Sequence, residues 1–166
     1  GDGEWEWDRE VTAFEKLTVV ELLNGKYSDQ HSSFTFRNGK LHSENDEPAY
    51  SYQGVQKWYK DGLLHRDNDQ PAVVDYCFSD RPDIPLRRWY RNGEPHRDND
   101  QPAVIHYNGD MIWYVDGQLC RGDGKPQAIF GGWCSWYENN RTVKTEPQDE
   151  TERAAYLKSC FTELKI

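Results

Sequence analysis

One pattern constrains this chain more than any other. An aromatic pair runs into Asn-Gly or Asp-Gly and returns through His or Cys three residues later, again and again. Gly39, Gly62, Gly93 and Gly117 lie 23, 31 and 24 residues apart, and Asn140 follows 23 residues on in a degenerate unit. The units read Thr35-Phe36-Arg37-Asn38-Gly39, Trp58-Tyr59-Lys60-Asp61-Gly62, Trp89-Tyr90-Arg91-Asn92-Gly93 and Trp113-Tyr114-Val115-Asp116-Gly117, closing on Trp136-Tyr137-Glu138-Asn139-Asn140. A two-residue type I′ turn needs positive φ at both central positions, which Asn, Asp and Gly adopt most readily, so each unit predicts a tight β-hairpin.

Such a turn fixes the pairing on either side of it. With Asp61 and Gly62 at its centre, Lys60 faces Leu63, Tyr59 faces Leu64 and Trp58 faces His65. The same register pairs Trp89 with His96, Trp113 with Cys120 and Thr35 with His42, and sets Tyr90 against Pro95, Tyr114 against Leu119 and Phe36 against Leu41. Two chemically different faces result. The Tyr/Leu face is expected to form the core, and the Trp/His/Arg face to point outward or against a neighbouring layer.

Each hairpin leads into a polar turn ending in Pro: Glu44 to Pro48, Asp67-Asn68-Asp69-Gln70-Pro71, Asp98-Asn99-Asp100-Gln101-Pro102 and Gly122 to Pro126. Strand character returns at Ala72-Val73-Val74-Asp75-Tyr76 and Ala103-Val104-Ile105-His106-Tyr107, giving roughly two strands and two turns per unit. The long middle spacing reflects an insertion from Cys77 to Arg88, whose Asp80, Arg81 and Asp83 are candidate contact residues on a protruding loop. Asp8 to Leu23 does not repeat and ends at Asn24-Gly25, a hairpin turn or a helix cap. Helical spacing of Ala154, Leu157, Cys160, Phe161 and Leu164 behind an acidic start predicts an amphipathic helix over Gln148 to Leu164, capping the last repeat.

Trp-x-x-x-Gly-x-x-His, as in Trp58 to His65 and Trp89 to His96, resembles the heart of MORN repeats over roughly residues 34–144. Arg66 and Arg97 stand where such units usually carry Gly after the His, and the Pro-Ala element resembles a variant associated with phage and large-virus proteins. The resemblance implies hairpins stacked into an elongated, curved, all-β sheet and a protein-binding or lipid-associated scaffold, and it brings no catalytic residue with it. The expected organisation is an N-terminal flank over 1–33, tandem antiparallel hairpins over 34–144 and a C-terminal capping α-helix over 145–166.

Composition narrows the function classes. Twenty Lys and Arg against 29 Asp and Glu give a formal charge of -9, a field that repels phosphate backbones; the acidic surface suits a basic protein partner or, more simply, keeps an aromatic-rich chain soluble, and a membrane surface is not an expected partner. Aromatics make up 14 % of residues and include seven Trp, which argues against disorder although only 36 % of residues are apolar. Cys77, Cys120, Cys134 and Cys160 lack metal-ligand spacing, and no signal-like stretch is visible. Reduced thiols in a cytoplasmic setting, a host cell's if the chain is viral, are the expectation, and a removed leader is compatible with the Gly at position 1.

His42, His65 and His96 recur beside carboxylates, as acid/base or metal groups would. A residue demanded once per repeat is more simply structural, packing on the cross-strand Trp and bonding a neighbouring turn. Asp67-Asn68-Asp69 and Asp98-Asn99-Asp100 offer hard oxygen ligands for calcium without EF-hand spacing, and Asx turns explain them equally. No cofactor is expected. Arg66, Arg97 and Arg121 form a basic column beside the Trp column, open to an acidic partner or to internal cation-π contacts. The candidate interaction set is therefore Trp58, His65, Arg66, Trp89, His96, Arg97, Trp113 and Arg121, with Asp80, Arg81 and Asp83. The leading expectation is a noncatalytic protein-interaction scaffold. An acidic virus- or phage-encoded inhibitor that blocks a nucleic-acid-binding protein and a small His-dependent enzyme are the alternatives. Partner identity and oligomeric state are not legible in the residues.

Overall fold

The computed structural model describes residues 24–77 and 84–162, except the side chains at 156, 157 and 159–162. Over the described residues it is an antiparallel β-structure followed by one helix. Strands Gly25–Ser28, Ser32–Arg37, Tyr50–Tyr52, Val55–Lys57, Val73–Asp75, Leu86–Arg88, Val104–Ile105, Met111–Ile112, Ala128–Phe130, Trp133–Glu138 and Arg141–Pro147 lie side by side in chain order. With Lys40–Leu41 added beside Ser32–Arg37, they make a single 12-stranded sheet. Neighbouring strands are joined either by a short turn, as at Gln53-Gly54, or by a connection that carries a repeating hairpin, as between Lys57 and Val73, so their order follows the chain. The sheet runs past both boundaries expected for the repeats, taking in Gly25–Ser28 before them and strand residues up to Pro147 after them.

The repeating hairpins are the continuations of these strands. Three form small two-stranded sheets with the expected partners: Tyr59 with Leu64, Tyr90 with Pro95 and Tyr114 with Leu119. In the first unit Phe36 pairs with Leu41. Both central residues of each turn have positive φ, as at Asp61 (50°) and Gly62 (86°), the type I′ signature. The backbone N–H of His65 donates to the Trp58 carbonyl (3.1 Å), that of His96 to Trp89 and that of Cys120 to Trp113, which completes the register.

Burial reverses the expected orientation of the two faces. Trp58, Trp89 and Trp113 are 3–4 % exposed and His96 and Arg97 are buried, whereas Tyr59 and its partner Leu64, Tyr90 and Tyr114 are only half-buried. The Trp face holds the core cluster of Trp89, Ile105, Met111, Trp113 and Ile129. The reason is area: an indole buries more apolar surface than a Tyr/Leu pair, and it wins the interior once its N–H finds an acceptor.

Leu86–Arg88 pairs in register with Val73–Asp75 and Val104–Ile105, so these residues belong to the repeat rather than to the insertion expected to end at Arg88. Asp80, Arg81 and Asp83 lie outside the described residues, as do Asp8 to Leu23. Gly25 opens the first strand, and the residues before Asn24, on which the expected role of Asn24-Gly25 as a hairpin turn or a helix cap depends, lie outside the described residues.

The helix is described over Glu150–Thr162 and starts two residues after the expected Gln148. Asp149 is its N-cap, its carboxylate accepting the N–H groups of Thr151 (2.9 Å) and Glu152 (3.1 Å). Those bonds hold the Asp149 carboxyl below the usual carboxylate range. Gln148 N–H donates to the Gly132 carbonyl (2.8 Å), and Glu152 and Ala155 flank a hollow of roughly 430 Å³ opposite Met111, Trp113 and Ile129. The start of the helix thus stands over the C-terminal end of the Trp face. Leu157, Cys160, Phe161 and Leu164, on which the amphipathic reading rests, have no described side chains.

Candidate functional site: the Trp/His/Arg column and the two edges

Each Trp ties its unit to the preceding one. Its Nε1–H donates to a carbonyl in the preceding polar turn: Trp58 to Asp46 (2.9 Å), Trp89 to Asp69 (2.8 Å), Trp113 to Asp100 (2.9 Å) and Trp136 to Gly124 (2.6 Å). These turns contain a second pair of positive-φ residues, such as Asn68 (61°) and Asp69 (52°), which turns the carbonyl toward the indole.

The Arg column repeats the link. Arg66, Arg97 and Arg121 lie over the rings of Trp58, Trp89 and Trp113 with guanidinium carbons 3.8, 3.9 and 3.8 Å from the centroids. Each donates backward to an Asp: Arg66 to both oxygens of Asp46 (2.7 and 2.8 Å), Arg97 to both of Asp69 (2.8 Å each) and Arg121 to Asp100 (3.0 Å). A planar fork gripping a carboxylate while stacked on an indole uses both of arginine's special geometries. In the last unit Lys144 takes the place over Trp136, at 4.5 Å.

The histidines reach the other way. His42, His65 and His96 accept through Nδ1 the backbone N–H of Asp61, Asn92 and Asp116, each in the following turn, at 3.0–3.1 Å. Nε2 of His65 and His96 donates to Asp67 and Asp98 at 2.9 Å. With Nδ1 an acceptor, the proton sits on Nε2, and in these two rings neither nitrogen is free toward solvent. The sequence suggested a His bonded to a neighbouring turn, and the structure has that bond.

The two acids of each Asp-Asn-Asp turn therefore do different work. The first holds its own unit's His, and the second holds the next unit's Arg. Among the described residues no group of three or more His, Cys, Asp or Glu is arranged to hold a metal ion. The described cysteines Cys77, Cys120 and Cys134 are free thiols, and burial raises the Cys134 thiol above its ordinary value. No helix among the described residues is long and apolar enough to cross a membrane.

The ion pairs set an acid limit on the fold. The Arg66 fork holds the Asp46 carboxyl below the usual range, Arg37 does so for Asp61, His65 for Asp67 and Arg91 for Asp116. A depressed folded value means that the stabilisation is complete above the unfolded value, about 3.9, and is lost as pH falls through the folded values. Thermal melting is thus expected to be insensitive to these groups down to about pH 5 and to fall steeply below about pH 4. Asp46→Asn should flatten that slope, and an unchanged slope would remove the carboxylate pairs as its cause.

With the motif residues engaged inside the sheet, the exposed chemistry lies on its edges. Tyr52, Tyr76, Tyr107, Phe130 and Trp133 are 40, 40, 42, 39 and 54 % exposed. They flank the Gln53-Gly54, Asn108-Gly109 and Gly131-Gly132 turns and the start of the insertion, on the edge opposite the Asn/Asp-Gly turns. The sequence reading missed this rim, although Tyr76 and Tyr107 close the two re-entry strands in equivalent places. Comparisons with protein-family models, curated proteins and solved structures return no match.

Proposed function

We propose that the chain is a noncatalytic protein-interaction scaffold of MORN-like hairpin repeats, which engages a partner along its aromatic rim. The observation that carries this is the exposure of Tyr52, Tyr76, Tyr107, Phe130 and Trp133 beside hairpins whose indoles Trp58, Trp89 and Trp113 are buried. Aromatic side chains left in water along one edge are the composition of a recognition surface, where a burial-limited fold would place polar groups. The candidate residues of the column serve the scaffold itself. Trp58, Trp89, Trp113, His65, His96, Arg66, Arg97 and Arg121 bind unit to unit and present little of themselves outward.

A triple variant, Tyr76→Ser, Tyr107→Ser and Trp133→Ser, tests the reading. Because these side chains are exposed, stability should change by no more than about 0.5 kcal/mol per site. Proteins retained on the immobilised native chain from its own cells should be lost on the variant. Retention of the same proteins by both chains would reject the rim as the contact surface.

The opposite edge favours a second reading, an acidic inhibitor of a nucleic-acid-binding protein. Asp61, Asp67, Asp98 and Asp116 line it with side chains 63, 70, 67 and 64 % exposed. Affinity for the captured partner that falls steeply with salt and survives the rim variant would favour this edge.

A further inference from the structure

One arginine on the Trp face has no place in the repeat network. Arg87 stands two residues before Trp89, where the neighbouring units carry Gln56, Met111 and Cys134, so the fold does not need a cation there. Val74 opposes it on one strand and Ile105 on the other. It is 6 % exposed, no described carboxylate pairs with it, and its Nε is buried without a hydrogen-bond partner. A buried guanidinium between two aliphatic side chains is an expensive arrangement unless something accepts its protons.

The side chain lines a groove of roughly 630 Å³ between Trp58 and Trp89, with Gln56, Asn68, Gln70 and Tyr76 as further walls. Its guanidinium carbon lies 5.8 Å from the Trp89 ring, which already carries Arg97 at 3.9 Å. The charges here are Arg66, Arg87 and Arg97 against Asp46 and Asp69, three positive and two negative. Among the described residues one positive charge is left uncompensated, in a chain whose formal net charge is -9.

We propose that this groove binds a carboxylate, with the Arg87 guanidinium as its anchor and the amides of Gln56 and Gln70 as polar wall. A carboxylate carries the single negative charge that balances the site and the planar oxygen pair that a guanidinium fork fits. A phosphate monoester would bring about one charge too many. The carboxylate belongs either to a peptide or to a small organic acid. The proposal stands apart from the scaffold reading: Tyr107→Ser and Trp133→Ser, the two rim substitutions that lie outside the groove, leave it intact.

The test is a tryptophan-fluorescence titration of the full chain with acetate, an N-acetylated, C-terminally amidated tetrapeptide whose only carboxylate is a Glu side chain, its Gln counterpart and inorganic phosphate. Both carboxylates should bind, with the Gln peptide at least about tenfold weaker than the Glu peptide and phosphate no tighter than acetate. A Glu peptide about tenfold or more tighter than acetate assigns the carboxylate to a peptide, and equal affinities assign it to a small acid. Arg87→Met should abolish binding and Arg87→Lys should weaken it. Val74→Glu places a carboxylate opposite Arg87 within the sheet and should block binding without lowering the melting temperature, which keeps the proposal testable if Arg87→Met does not fold. Equal binding of the Gln peptide, preference for phosphate, or binding that survives Arg87→Met would overturn it. Binding that emerges only after Asp80→Asn and Asp83→Asn would also overturn it, because the chain would then supply its own carboxylate.

Discussion

Trp89→Ala is expected to destabilise the protein by about 3–5 kcal/mol, the largest effect of any single substitution in the chain. The indole is 4 % exposed within the cluster of Ile105, Met111, Trp113 and Ile129. Its removal opens a cavity at the middle of the sheet, strips the Asp69 carbonyl of the indole donor and takes the ring from beneath Arg97. Trp89→Phe separates these losses by keeping an aromatic surface without the donor, and it should cost about 1–3 kcal/mol. Denaturant unfolding measures both. If Trp89→Ala lost no more than the exposed Trp133→Ala, the Trp face would not be the core.

Arg97→Ala should follow, at about 2–3 kcal/mol, because the side chain is buried and does three jobs at once. It covers Trp89, grips Asp69 and donates to the Pro102 carbonyl at 3.5 Å. Asp69→Ala should cost about 1 kcal/mol or less, since that carboxylate is 57 % exposed and solvent takes over much of its charge. The pair is therefore asymmetric: the arginine acts as a packing group that happens to be charged. A double-mutant cycle gives the share that belongs to the ion pair, expected below about 1 kcal/mol. A coupling as large as the whole Arg97→Ala loss would contradict the packing account.

The hairpins were legible because a two-residue turn leaves no freedom of register. Once Asp61 and Gly62 take positive φ, Tyr59 can meet only Leu64. The direction of the faces was not legible. Alternation along a strand separates Trp58 from Tyr59 without saying which side is covered, and His and Arg beside Trp read as solvent-facing polarity. What decided it was the supply of partners in adjacent units, an acceptor for each indole and a carboxylate for each arginine. Those contacts join residues 12 to 28 positions apart and leave no local signature. Asp67 and Asp69 look equivalent in the sequence, yet one serves its own unit's His and the other the next unit's Arg. Arg87 was hidden for another reason. It sits in Leu86-Arg87-Arg88, which read as the tail of an insertion, and only the pairing with Val74 and Ile105 places it on the core face.

Cys120 occupies the position where His42, His65 and His96 reach forward to the next turn. Earlier seams have a second tie as well, the turn glycines Gly62, Gly93 and Gly117 donating to Leu41, Leu64 and Pro95 at 2.8–3.0 Å. Among the described hydrogen bonds Asn139 and Asn140 receive neither, and the last seam is held by the Trp136 indole, the Gln127 side chain and the long hairpin closing at Pro147. The molecule is thus a row of clasps in which the final one is of a different make. Mechanically that gives the described row a direction: load applied along it is expected to open the joint with fewest ties, at the C-terminal end, while the three Trp pillars behind it stay closed.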